Sequence, residues 1–208
     1  MTAKALRAQS VFTNCPFDPD FEPLFNAVVF ATTFCGFSVR CGYERVDAGG
    51  SRLYKICDLL AKSRLSSYDI SMQTLDEQTG LPRFNMPLEL GMALGMKVLD
   101  RNVFRDHAVL VLDSEPRRYR DSTSDLAGFD IAMHRNDQDC IIAEVRNFLM
   151  ANIDSALPGP GAIAQLYRIF QSELPNLAAA SRLTVAELRF TDRMRLLQAF
   201  ISRVDTVS

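Results

Sequence analysis

The chain has 208 residues, enough to bury a full core in one domain. Hydrophobic residues make up 48% and charged residues 23%, a balance that excludes wholesale disorder. The formal net charge is −2, so the basic excess of a general nucleic-acid or membrane-surface binder is missing, and neither partner is expected.

No apolar run reaches the ~18 residues that a transmembrane helix needs. The opening MTAKALRAQS lacks the apolar middle of a signal peptide. The five cysteines (Cys15, Cys35, Cys41, Cys57, Cys140) are scattered and form no CxxC pair, which fits reduced thiols in a cytoplasmic protein. Two histidines, His107 and His134, are too few for a His-rich metal site, so no metal is expected.

Residues 1–9 read as a flexible leader. Residues 10–15, SVFTNC, read as a first strand, stopped by the turn-rich Pro16-Phe17-Asp18-Pro19-Asp20. Asp20 is the expected N-cap of a helix over 21–34, and Gly36 its C-terminal stop. A second strand is expected at 37–41. A second amphipathic helix follows, marked by Leu53, Ile56, Cys57, Leu60 and Ala61. Residues 66–71 read as the third strand. Residues 85–97 read as a helix capped by Asn85, with Gly91 and Gly95 expected to let helix and sheet pack closely. Ala108 to Leu112, AVLVL, is a continuous apolar run of the kind buried on both faces. Residues 129–133 read as a fifth strand, and 141–153 as a helix. After the break at Leu157-Pro158-Gly159-Pro160-Gly161, helical patterns recur at about 162–174 and 184–204.

Strands alternate with helices through residue 153. The expected fold is therefore α/β, a doubly wound, flavodoxin-like sheet of five parallel strands, with an α/β domain at 10–156. Residues 157–208 form a C-terminal helical pair, either a packed appendage or an oligomerisation element. Ligands of such sheets bind beyond the carboxyl ends of the strands. That rule selects Asn14, Arg40, Asp69, Ser71 and Asp113. Arg40 would serve a phosphate or simply a surface ion pair. Phe17 would stack on a base or simply plug its turn. Cys15 reads as a structural thiol rather than a nucleophile, and Arg117, Arg118 and Arg120 as a solvated face. His107 and His134 read as surface residues.

Glu89 falls in the first turns of the 85–97 helix, where the dipole would favour its anion and lower its pKa. Such a carboxylate suits a nucleophile or a stabiliser of an oxocarbenium-like sugar carbon. Asp69 would hold sugar hydroxyls or protonate the leaving base, a two-carboxylate arrangement familiar from glycosidases. The bland alternative is that Glu89 only satisfies the helix dipole. No P-loop is present, and no GxGxxG follows the first strand.

Three blocks lie in order along the chain: Val11-Phe12-Thr13-Asn14-Cys15-Pro16-Phe17, Tyr68-Asp69-Ile70-Ser71, and Asn85-Met86-Pro87-Leu88-Glu89-Leu90-Gly91-Met92-Ala93. Together they resemble the nucleoside 2-deoxyribosyltransferase-like group. The N-terminal block with Asp18 to Asp20 is also similar to Toll/interleukin-1 receptor-like (TIR-like) domains. The run GLPRFNMPLELG at Gly80 to Gly91 resembles bacterial proteins described as nucleotide-binding. The resemblance implies an N-glycosidase or glycosyl-transfer site, with Glu89 as nucleophile and Asp69 assisting. It also implies substrate contacts at Asn14, Phe17, Asp18, Arg40, Ser71, Arg83, Asn85 and Met86. The substrate implied is a nucleotide or NAD, because Arg83 favours a phosphate. No separate cofactor is implied. The TIR-like resemblance also points to bacterial antiviral defence, and a homo-oligomer is expected beside it. The alternative is a non-catalytic nucleotide-sensing module that reports to a protein partner through the C-terminal helices.

Overall fold

The computed structural model describes residues 2–16, 18–44, 49–72, 80, 84–154 and 156–205. In chain order the elements are α1 (Ala3–Ala8), β1 (Ser10–Asn14), α2 (Glu22–Phe34), β2 (Ser38–Arg40), α3 (Arg52–Ala61), β3 (Leu65–Asp69) and α4 (Asn85–Leu99). Then follow β4 (Ala108–Asp113), α5 (Tyr119–Ser122), β5 (Ala132–Met133), α6 (Gln138–Met150), α7 (Pro160–Ala180) and α8 (Phe190–Asp205). The five strands form one parallel sheet in the order β2-β1-β3-β4-β5, the expected flavodoxin-like arrangement. Strand order reverses between β1 and β3, where Asn14 pairs with Tyr68.

Strand side chains alternate between two cores, as the pleat requires. Val11, Leu65, Leu110 and Leu112 face the layer built from α2 and α6. Phe12, Tyr68 and Val111 face α3 and α4. The C-terminal pair is a third layer on the first of these cores. Ile163, Tyr167, Phe170 and Leu174 of α7 and Leu197 and Phe200 of α8 are buried with Phe30 of α2. Of the two roles open to residues 157–208, the packed one is seen.

Local chemistry explains several element ends. Gly36, at φ 84°, closes α2: its N–H donates to Thr33 O and that of Phe37 to Thr32 O, the paired bonds of a glycine-terminated helix. The expected leader is instead a helix, α1, held by tertiary contacts. Arg7 donates to Ala61 O at 3.0 Å and to Val103 O at 2.7 Å. The N-caps also differ from expectation. Phe21, not Asp20, precedes α2, and Phe84, not Asn85, precedes α4; neither makes a side-chain capping bond. Gly91 and Gly95 do not mediate close packing: a Cβ at either would meet nothing within 4 Å.

Both histidines are buried, not on the surface. His107 lies between Ser66 Oγ at 2.8 Å and Ser63 O at 3.2 Å. A ring nitrogen facing a carbonyl must carry the proton, so Nδ1 donates to Ser63 and Nε2 accepts from Ser66. Burial lowers the His107 pKa from 6.5 to about 4. The unfolded chain therefore binds one more proton between those values, and stability falls as pH drops through that window. The expected loss is about 3 kcal/mol. Denaturant titrations at several pH values should show this slope in the wild type and a flatter one in His107→Gln.

Among the described residues, no helix is long and apolar enough to cross a membrane, and no group of three or more His, Cys, Asp or Glu is placed to hold a metal.

Candidate functional site

Parallel strands and right-handed crossovers bring every strand end, and the start of every following helix, to one edge of the sheet. At the β1/β3 reversal that edge holds Asn14, Cys15, Asp69, the start of α3 and the first turns of α4. Glu89 is the fifth residue of α4 and is 4% exposed. It lies just past the helix amides that lack partners, so the dipole contributes less than an Asn85 cap would have implied. Its pKa moves up, not down. Burial pushes it above the ordinary value, while Arg52 and the Asn14 side chain pull it back. Arg52 Nη2 stands 3.8 Å from Glu89 Oε1. Glu89 Oε2 and Asn14 Nδ2 are both buried without completing a hydrogen bond among the described residues. An unmade buried hydrogen bond costs about 1–3 kcal/mol; here donor and acceptor lie beside each other, so the Asn14 amide is the polar group that faces the Glu89 carboxylate.

Asp69 is committed within the protein. Its Oδ1 accepts from Ser71 N at 2.9 Å and Ser71 Oγ at 2.5 Å. Its Oδ2 lies 3.1 Å from His134 Nε2. His134 Nδ1 accepts from Asn136 N at 3.1 Å, which leaves the ring proton on Nε2; Nε2 and Asp69 Oδ2 stand close together, but neither completes a hydrogen bond among the described residues. Asp69, Ser71 and His134 therefore form a buried brace that fixes the end of β3. Cys15 is buried beside it. Its thiol is pushed well up by burial, with Asp69, Cys41 and Glu89 adding to the shift, so it is a poor nucleophile.

The structure brings together Asn14, Asp69 and Glu89, but other expected contacts lie elsewhere. Arg40 Nε pairs with both carboxylate oxygens of Glu44 at 2.9 Å. Met86 is 8% exposed and packs in the core with Phe12, Tyr68 and Leu90, so it is a packing residue. Asn85 is the exposed first residue of α4. Asp18 accepts from Asp20 N at 3.1 Å and lines a cavity of about 480 Å³ beside the β1 end. Ser71 borders a second cavity of about 410 Å³, with Arg118. Arg118 is not simply solvated: it donates to Ile70 O at 3.2 Å and stands 3.3 Å from the buried Asp113. Phe17 and Arg83 lie outside the described residues.

Sequence reasoning missed Arg52 and His134. The signal for Arg52 was available, because the first residue of a helix after a parallel strand shares the edge with the strand ends. His134 directly follows β5, so the same rule covers it. Arg52→Ala should raise the Glu89 pKa further, because the nearby cation that favours the carboxylate is removed. A carboxyl-carbon NMR titration of Glu89 reads this directly, and an unchanged midpoint would show that Arg52 does not act on it.

In comparison with known proteins, no family model matches the chain, and no curated protein matches it.

Proposed function

We propose that this protein cleaves or transfers the N-glycosidic bond of a nucleotide or NAD, with Glu89 as the nucleophile. The observation that carries the reading is the buried Glu89 carboxylate, with Oε2 unpartnered among the described residues, at the reversal point of a parallel sheet. Burial raises its basicity, and Arg52 and Asn14 keep the anion accessible. In the step proposed, a Glu89 oxygen forms a bond to the sugar C1′ as the C1′–N bond breaks. The bonding pair leaves with the base. Water, or a second nucleotide, then attacks C1′ and frees the carboxylate.

Asp69 serves in this reading as a positioning residue, because Ser71 holds its Oδ1 through N–H and Oγ while its Oδ2 is buried against the His134 ring at 3.1 Å. With Asp69 buried and held by Ser71, a base that departs without needing a proton fits the site best. A pyridinium base meets that condition, since its cationic nitrogen accepts the bonding pair and leaves neutral. NAD is therefore preferred over a purine or pyrimidine nucleotide. Asn14 Nδ2 would orient the carboxylate or hold a sugar hydroxyl.

Incubation with NAD and the common nucleotides, followed by chromatography of released base, tests the reading. Release of nicotinamide is expected. A wild type that binds these ligands yet releases no base would favour the second reading, a nucleotide sensor. That reading draws on α8 and the residues before it, which line the cavity beside the β1 end and would feel a ligand there.

A further inference from the structure

The 480 Å³ cavity lies between the β1–α2 connection and the segment that leads into α8. Its volume falls within the roughly 300–1,000 Å³ typical of small-molecule sites. Tyr43 and Phe190 both pack on Phe25, with ring centroids 5.9 Å and 6.1 Å from it. Tyr43 is 47% exposed, a large aromatic surface left at a cavity wall. Asp18 and Glu22 supply carboxylates, and Glu22 is held by Arg193 at 3.0 Å. The exposed Arg189 side chain makes no ion pair or hydrogen bond among the described residues. Aromatic faces, acceptors for ribose hydroxyls and a free guanidinium are the groups that recognise a nucleotide.

The cavity is also close to Glu89. Pro16 in its wall is two residues beyond Asn14. The Tyr43 hydroxyl is raised by burial and by Cys15, Cys41 and Glu22, and lowered by Arg52, the same arginine that stands beside Glu89. Arg52, 3.8 Å from Glu89, lies near enough to act on Tyr43 of the cavity wall as well, so an extended ligand is the kind that would engage both.

We propose that this cavity holds the distal half of a dinucleotide, an adenosine-type group on Tyr43 with its phosphate beside Arg189, while the scissile bond lies at Glu89. The inference rests on the glycosidase reading for its orientation, and it makes the C-terminal layer part of the substrate site. The substrate class is then a dinucleotide rather than a mononucleotide.

Calorimetry with AMP, nicotinamide mononucleotide and NAD tests it on the full chain, in wild type, Tyr43→Ala, Arg189→Glu and Glu89→Gln. Both altered wall residues are exposed, and circular dichroism confirms folding. AMP is expected to bind wild type and Glu89→Gln alike and to bind each wall variant about tenfold more weakly. NAD should lose the same factor, and nicotinamide mononucleotide none. AMP affinity that is undetectable, or equal in wild type and wall variants, overturns the inference. If that occurs while NAD turnover still depends on Glu89, the glycosidase reading stands alone. If AMP binding depends on the wall but no ligand is cleaved, the cavity assignment stands and the glycosidase reading fails.

Discussion

Glu89→Gln is expected to melt higher than the wild type and to release no base. The carboxylate is buried, its Oε2 is unpartnered among the described residues, and burial outweighs Arg52 and Asn14 in setting its pKa. An acid whose folded-state pKa is raised favours folding below its unfolded value, and that contribution is lost as pH rises through the folded value. At neutral pH the charge therefore opposes folding, and a neutral amide of the same shape relieves it. The expected gain is about 1–2 kcal/mol, with a melting shift of roughly 2–4 °C per kcal/mol for a chain of this size. The gain should shrink on acidification through the Glu89 pKa, as the wild-type carboxyl takes up its proton. Turnover should fall by about three orders of magnitude or more, because an amide oxygen is a poor nucleophile. Stability gained where activity is lost is the pattern of a functional group held against its preferred environment. A variant that melts lower and keeps its activity would make Glu89 a structural residue.

Removal of residues 157–208 should abolish the fold. Phe30 of α2 is fully buried, and its ring lies 5.1 Å from Tyr167, 5.7 Å from Phe170 and 6.3 Å from Phe200. All three partners belong to the C-terminal layer. Each large apolar side chain buried in a core contributes roughly 1.5–3 kcal/mol. Ile163, Tyr167, Phe170, Leu174, Leu197 and Phe200 would all be lost, a sum of the same size as the roughly 5–15 kcal/mol that stabilises a typical domain. Gel filtration should show aggregate, and circular dichroism a loss of cooperative melting. Phe30→Ala in the full chain should cost about 3–5 kcal/mol, a milder probe of the same interface. A truncated chain that stays monomeric and melts cooperatively would contradict the shared core.

The sheet was legible in the sequence because its strands are short apolar runs, of which Ala108 to Leu112 is the plainest. The strand order followed from the flavodoxin-like expectation once strands were seen to alternate with helices. The edge strand was overextended: only Ala132–Met133 pairs, at the very end of β4. The leader's helix was missed because it has no long apolar stripe and is held by carbonyls 54 and 96 residues away. The histidines were misplaced for the same reason. His134 is buried against Asp69, held by Asn136 N–H on its Nδ1, and His107 is buried between Ser63 and Ser66. At the site, Glu89 and Asn14 were legible from helix and strand ends, but the sign of the Glu89 shift was not. A dipole is a local feature of the sequence, whereas burial is a property of the assembled edge.

The central claim is that Glu89 attacks a sugar carbon. A nucleotide analogue with fluorine at C2′ in the arabino configuration slows the second step more than the first and allows a covalent intermediate to accumulate. Intact mass spectrometry after incubation with the fluorinated NAD analogue should show wild type heavier by the sugar-containing fragment. Peptide mapping should place the adduct on Glu89, and Glu89→Gln should stay unmodified. Base release from the analogue with no adduct, or an adduct on another residue, would contradict the account.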